Sequence, residues 1–297
     1  MTTVGVIGLG EIGRGVARAI VGTGLPLVVC DMNPGATAPF AGIAHIAAGP
    51  AEVGARADVS IVAVVTDTQV LAVTSPDDGL LASALPGTAI VVMSTVSVAT
   101  VYGVARAALR RDVDVLDCGV SGGPGAASEG ALVTMVGGDE VVVERHRAVL
   151  DAFSSLVVHM GPLGAGLKAK LARNLVQYGS WLAAFEGQRL AEAAGIDLRK
   201  LATVIRASDR RIGGAATLMF RDTVSPWLED DDRAIVQAMR AAAGLAHKDL
   251  GAALELAEEL GITLPVARMT DARCDAVFGV GPDPIADGER EGARHES

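Results

Sequence analysis

In this chain of 297 residues the signals for β-strand stop at Gly161. Before that point short runs rich in Val and Ile alternate with Ala- and Leu-rich segments; after it only the second kind continues. Such alternation is what a parallel sheet requires, because each parallel step needs a crossover segment, and that segment is usually a helix. Residues 3–8, 26–31, 59–65, 88–94, 113–117, 131–138 and 156–161 are the strand candidates. Segments between them, such as 11–24 and 98–111, carry helical apolar spacing. The first half is therefore expected to be a doubly wound α/β sheet, and the second half an all-α C-terminal domain.

The helical half resolves into segments at about 163–194, 198–207, 232–260 and 265–278. In the first, Leu163, Leu167, Leu171 and Leu175 recur every four residues, which predicts one core-facing stripe and leaves the other face free. The run Glu-Asp-Asp-Asp-Arg at 229–233 reads as a solvated helix start, where the helix dipole favours Asp. Residues 281–297 read as a flexible tail.

Composition removes several classes of function. Half of the residues are hydrophobic but only 3% are aromatic, so Ala, Val and Leu must fill the interior. The formal net charge is -10 and Lys and Arg form no stripe, which argues against a nucleic-acid surface. Cys30, Cys118 and Cys274 are odd in number and far apart, so neither a disulfide framework nor a metal site is expected, and a reducing compartment is. The five histidines have no metal-ligand spacing either. With no basic leader and no long apolar stretch, no membrane association is expected, and the cytoplasm is the expected location.

The segment Val-Ile-Gly-Leu-Gly-Glu-Ile-Gly-Arg-Gly places Gly8, Gly10 and Gly13 in G-x-G-x-x-G spacing, between a strand and a helix. In that context the spacing predicts a Rossmann-type dinucleotide turn. Gly8 permits the bend, Gly10 lets backbone approach a pyrophosphate, and Gly13 lets helix and strand pack closely. Leu9 and Ile12 complete the turn. Asp31, 18 residues past Gly13, ends the second strand where a carboxylate would accept ribose hydroxyls and repel a 2′-phosphate. NAD is expected over NADP, with residues 1–161 as its domain and 162–280 as a helical substrate and dimerisation domain.

Gly161 to Asn174 sets three glycines against two lysines. On a helix Lys170 and Asn174, four apart, share a face, while Lys168 points nearly opposite. A desolvated Lys170 loses its proton more easily, which suits a general acid/base at a hydroxyl or carbonyl oxygen. Gly164 and Gly166 are expected to let the start of the helix come near cofactor and substrate. Upstream, residues 117–132 contain Ser121, Gly122 and Gly123, whose backbone N–H groups could hold a carboxylate.

Taken in order with residues 247–265, these motifs resemble the β-hydroxyacid dehydrogenase family of the 3-hydroxyisobutyrate dehydrogenase type over nearly the whole chain. The resemblance implies that Lys170 is the catalytic lysine, that Asn174 hydrogen-bonds substrate, and that Ser121, Gly122 and Gly123 bind its carboxylate. It also implies cofactor contacts from Val64, Val65, Gln69, Thr95 and Lys248, and a small 3-hydroxy acid or semialdehyde as substrate. The apolar helices of the second half point to self-association, as a homodimer or a homotetramer. Gly119 departs from the family's usual Pro and Arg173 from a common Asn, and the segment before Lys248 lacks the usual aromatics, which points to a small or unusually shaped pocket. An imine reductase-like enzyme and a non-catalytic NAD-binding sensor are the alternatives.

Overall fold

The computed structural model describes residues 1–283. Eight strands form one sheet: β1 (Val4–Ile7), β2 (Leu27–Cys30), β3 (His45–Ile46), β4 (Val59–Val62), β5 (Ala89–Val92), β6 (Asp114–Ser121), β7 (Leu132–Gly137) and β8 (Ser154–Gly161). Their order is β3-β2-β1-β4-β5-β6-β7-β8. Every neighbouring pair is parallel except β6 with β7.

The strand sequences follow from this placement. β1, β2, β4 and β5 are buried at every position, and a parallel strand covered on both faces reads as an unbroken apolar run. Alternate side chains serve opposite faces. Val4 and Val6 enter one core with Val16, Ala17 and Ile20 of the Glu11–Gly22 helix. Ile7 enters the other, with Val53, Val70, Val101 and Val104 from helices across the sheet. The expected Rossmann-type doubly wound fold is thus formed.

Three local differences have physical causes. β6 runs to Ser121, past the expected end at residue 117, because antiparallel pairing with β7 holds Asp117 to Ser121 in the ladder. β3 has two exposed residues and gave no apolar run to read. The helix expected at 265–278 is two helices, Pro265–Ala272 and Cys274–Val277, broken at Arg273.

The chain divides after Asn174 into two compact units. In the second, Asp232 caps the Arg233–Glu259 helix through Ala234 N and Ile235 N, so the acidic run does begin a helix. Glu186 is 5% exposed and accepts from Val266 N at 2.8 Å and Ala267 N at 3.0 Å, capping the Pro265–Ala272 helix from a distance. His247 Nδ1 lies 2.7 Å from Asp271 and Nε2 3.3 Å from Asp275, which ties the helix bearing it to the next two. Trp227 packs under the Arg221 guanidinium and donates Nε1–H to Phe278 O, so it anchors a loop. Trp181 is exposed.

One expectation about the long Ala165–Ala193 helix is corrected. Leu163 and Leu167 pack into the core, but Leu171 is 51% and Leu175 74% exposed. The four-residue stripe is a core stripe only over the turns that lie on the sheet. Residues 284–297 of the expected tail lie outside the described residues. Among the described residues no helix is long and apolar enough to cross a membrane, and no His, Cys, Asp and Glu cluster could hold a metal.

Candidate active site

The glycine turn has the geometry its spacing predicts. Gly8 has φ +90°, and a β-carbon there would meet Ala63 O at 2.8 Å and Val64 N at 2.9 Å. A β-carbon on Gly13 would run into Gly8 O. Gly10 faces open space and begins the Glu11–Gly22 helix with no side-chain cap, so the first N–H groups of that helix are left to an anion. This cradle fits a dinucleotide pyrophosphate. Leu9 is buried and Ile12 half-buried in the core beneath, so both serve the turn through backbone.

Asp31 does a second task that its spacing did not reveal. Its Oδ2 accepts from Leu9 N at 2.6 Å and its Oδ1 from Asn33 N at 2.8 Å, so the carboxylate braces the glycine turn from the end of β2. Val64 is half-buried and Val65 exposed on the loop after β4. Gln69 shapes that loop: its side chain accepts from Val65 N at 2.9 Å and Thr66 N at 3.1 Å, while Thr66 Oγ1 accepts from Gln69 N, a capping box. Thr95 is exposed between buried Ser94 and Val96. The turn after it is pinned by Asp67, which accepts from Ser97 and Thr100; the Thr100 hydroxyl, then Ser97, hold the Asp67 carboxyl below its ordinary value.

Around the end of β6 the second cluster forms. Ser121 closes the strand, Gly122 (φ +132°) and Gly123 (φ +75°) turn the chain, and the short Gly123–Ser128 helix begins without a side-chain cap. That helix abuts the glycine-turn helix so closely that a β-carbon on Gly15 would lie 2.6 Å from Ala127 Cβ. Lys170 is half-buried and donates from Nζ to Val120 O, beside Ser121. Burial, then the charge of Arg173, pushes the Lys170 amine below the ordinary lysine range. Lys168 is exposed, as the helix phase predicts. Asn174 lies one turn past Lys170 and its Oδ1 is 3.5 Å from Arg173 Nη1. Lys248 belongs to the second unit, exposed on the Arg233–Glu259 helix with its Nζ 3.3 Å from Asp249.

The glycines before Lys170 also clear space within the protein itself. A β-carbon on Gly166 would meet Met135 O at 2.5 Å and Asp117 O at 2.8 Å, and one on Gly119 would meet Lys170 Cβ at 2.5 Å. Gly164 has φ +89° and stands against Tyr102 and Val98. The stripped backbone lets the start of the helix lie directly on β6 and β7. Asp117, the last residue of the strand expected at 113–117, is fully buried there and accepts from Gly164 N at 2.5 Å and Leu167 N at 2.6 Å. A charged residue inside a run of buried apolar ones was the available signal. Cys118 next to it is fully buried, and burial pushes its thiol up, so it packs.

Comparison with known proteins gives the chain's family. Residues 3–161 match the family model of the NAD binding domain of 6-phosphogluconate dehydrogenase, and residues 164–279 that of NADP-dependent 3-hydroxyisobutyrate dehydrogenase, described as NAD-binding. An uncharacterized oxidoreductase of Mycobacterium tuberculosis is 39% identical over 97% of each chain. An NAD-dependent L-serine dehydrogenase of Pseudomonas aeruginosa is 31% identical over 91% of this chain and 90% of that one. The structure of Mycobacterium tuberculosis 3-hydroxyisobutyrate dehydrogenase with L-serine is 27% identical, with a TM-score of 0.65 over 98% of this chain and 99% of the other.

Proposed function

Because the chain belongs to the β-hydroxyacid dehydrogenase family, we propose that it transfers hydride between C3 of a small 3-hydroxy acid, or the matching semialdehyde, and NAD in preference to NADP. The observation that carries this reading is the Lys170 amine, desolvated and held at Val120 O beside Ser121. The bound nicotinamide supplies the two-electron acceptor. Lys170, neutral, takes the hydroxyl proton during oxidation and returns it during reduction. Ser121 and the N–H groups of Gly122 and Gly123 hold the carboxylate, and Asn174 hydrogen-bonds the substrate.

Preference for NAD rests on Asp31, whose charge at the end of β2 opposes a 2′-phosphate. A small substrate is part of the proposal because Gly119 stands where the family usually has Pro and the segment before Lys248 lacks the usual aromatics. Assembly with further copies of the chain is part of the proposal: Leu175, Trp181, Leu182 and Phe185 are all more than half exposed along one helix, and clustered exposed apolar side chains mark interaction surfaces. The cytoplasm belongs to the same reading, with Cys30, Cys118 and Cys274 all free and buried.

The test follows absorbance of the reduced nicotinamide with a panel of 3-hydroxy acids, L-serine among them, and of cyclic imines. Turnover on hydroxy acids with NAD is expected. Turnover on imines alone would replace the reading with imine reduction, and NAD binding without turnover on either class would replace it with a sensor.

A further inference from the structure

We infer that Asp117 is the positioning residue of the site: it sets the rotation and height of the lysine-bearing helix against the strand that carries Ser121. The inference rests on the proposed role of Lys170. Asp117, Gly119 and Ser121 alternate along β6 and so share one face. Asp117 uses one oxygen for Gly164 N and the other for Leu167 N. Those are N–H groups at a helix start, which the helix itself cannot satisfy.

Two anchor points on one rigid carboxylate fix both where the helix sits and how it is turned. Lys170 follows Leu167 by three residues, nearly one turn, so it returns to the same side of the helix. There its Nζ reaches Val120 O, three residues along the strand from Asp117. Strand and helix therefore form a closed frame, held at one end by a carboxylate and at the other by the reactive amine.

The surroundings are cleared for this contact. A β-carbon on Gly137 would collide with Asp117 Oδ1 and stand 2.7 Å from Gly166 N, and Gly166 and Gly119 have no more room. Burying a carboxylate is costly unless hydrogen bonds compensate. A neutral cap would satisfy a helix start at less cost. A fully buried Asp with paired N–H donors instead gives a fixed, two-point grip, which is what proton transfer needs, since small misplacements of a reacting group cost rate steeply.

The test is Asp117→Asn, which keeps the shape but leaves one N–H group facing an amide NH2 in place of an acceptor. Amine-reactive labelling of Lys170 across pH, read by peptide mass spectrometry in the whole protein, reports its environment without reference to turnover. Calorimetry with NAD+ and turnover of L-serine or 3-hydroxyisobutyrate complete the set. In D117N the labelling profile is expected to move to higher pH as Lys170 regains water, and kcat to fall about tenfold or more with KM changed far less. NAD+ affinity should stay within about twofold, since Asp117 lies on β6, with two strands between it and the β1 that carries the glycine turn. A labelling profile and kcat both like wild type would overturn the inference. So would parallel loss of NAD+ affinity and kcat, the mark of general loosening. If D117N does not fold, Gly166→Ala, which lifts the same helix off Met135 O, carries the same expectations. Should labelling shift while Lys170→Ala keeps full activity, the positioning stands and the proposed chemistry fails.

Discussion

Gly119 and Lys170 are in backbone-level contact: a β-carbon on Gly119 would lie 2.5 Å from Lys170 Cβ and 2.9 Å from Gly166 O. Gly119→Ala must therefore push the helix away from β6. We expect a cost of about 1–3 kcal/mol, typical of overpacking, seen as a lower melting temperature, together with a drop in kcat. Wild-type stability and kcat in this variant would mean that the strand and helix are further apart than described.

The pH dependence of oxidation has a defined sign. In the proposed reaction Lys170 would have to be neutral to accept the proton, and burial, followed by the charge of Arg173, holds its pKa below the ordinary value. The rising limb of kcat/KM should therefore lie below the free-lysine range of about 10.4. Arg173→Ala removes a like charge, so the limb should move to higher pH. Lys170→Ala should lose about 10²-fold or more in kcat, and Lys168→Ala little; equal losses from both would show the helix phase to be wrong.

Asp31 braces Leu9 N, and in the proposed function the same carboxylate would oppose a 2′-phosphate. Asp31→Ala should weaken NAD+ by about tenfold or more, from the loss of a charge-assisted hydrogen bond, while narrowing the gap to NADP+. Titration with both cofactors checks this. A wild type that already prefers NADP+ would contradict the assignment.

His247, facing Asp271 and Asp275, titrates above its ordinary value, chiefly through the hydrogen bond to Asp271. A folded-state pKa raised in this way adds stability that is fully present below the unfolded value, about 6.5, and is lost as pH rises through the folded value. Lys248 follows on the same helix, close to Asp249, and Arg273 lies between the two facing helices. Melting temperature should fall over that window in the wild type and change less in His247→Asn; identical pH profiles would exclude the linkage.

Sedimentation should find more than one chain per particle. Leu175→Glu, at a position 74% exposed within a single chain, should shift the population toward monomer. An unchanged assembly would place the contact elsewhere.

The sequence made the central sheet legible because parallel strands covered on both faces leave unbroken Val and Ile runs, as in β1, β4 and β5. The glycine turn was equally readable, since Gly8 and Gly13 answer steric demands within a few residues of themselves. Long-range relations were not. Asp117 looks like a strand end until Gly164 N, 47 positions away, is seen on its carboxylate. The Leu171 and Leu175 repeat has helical spacing whether the helix rests on a sheet or not. Gly166 likewise read as clearance for a ligand, when the surface it clears is the protein's own backbone.

The contact of Gly15 with Ala127 joins the helix behind the glycine turn to the helix behind Ser121 with nothing larger than the Ala127 methyl between them. In the proposed function the two places that would receive negative charge thus share a single wall, and their separation is settled at folding. Under that proposal such a wall would work as a gauge: a substrate whose acid group lies one carbon nearer to or farther from the reacting carbon would meet a span that cannot stretch to suit it.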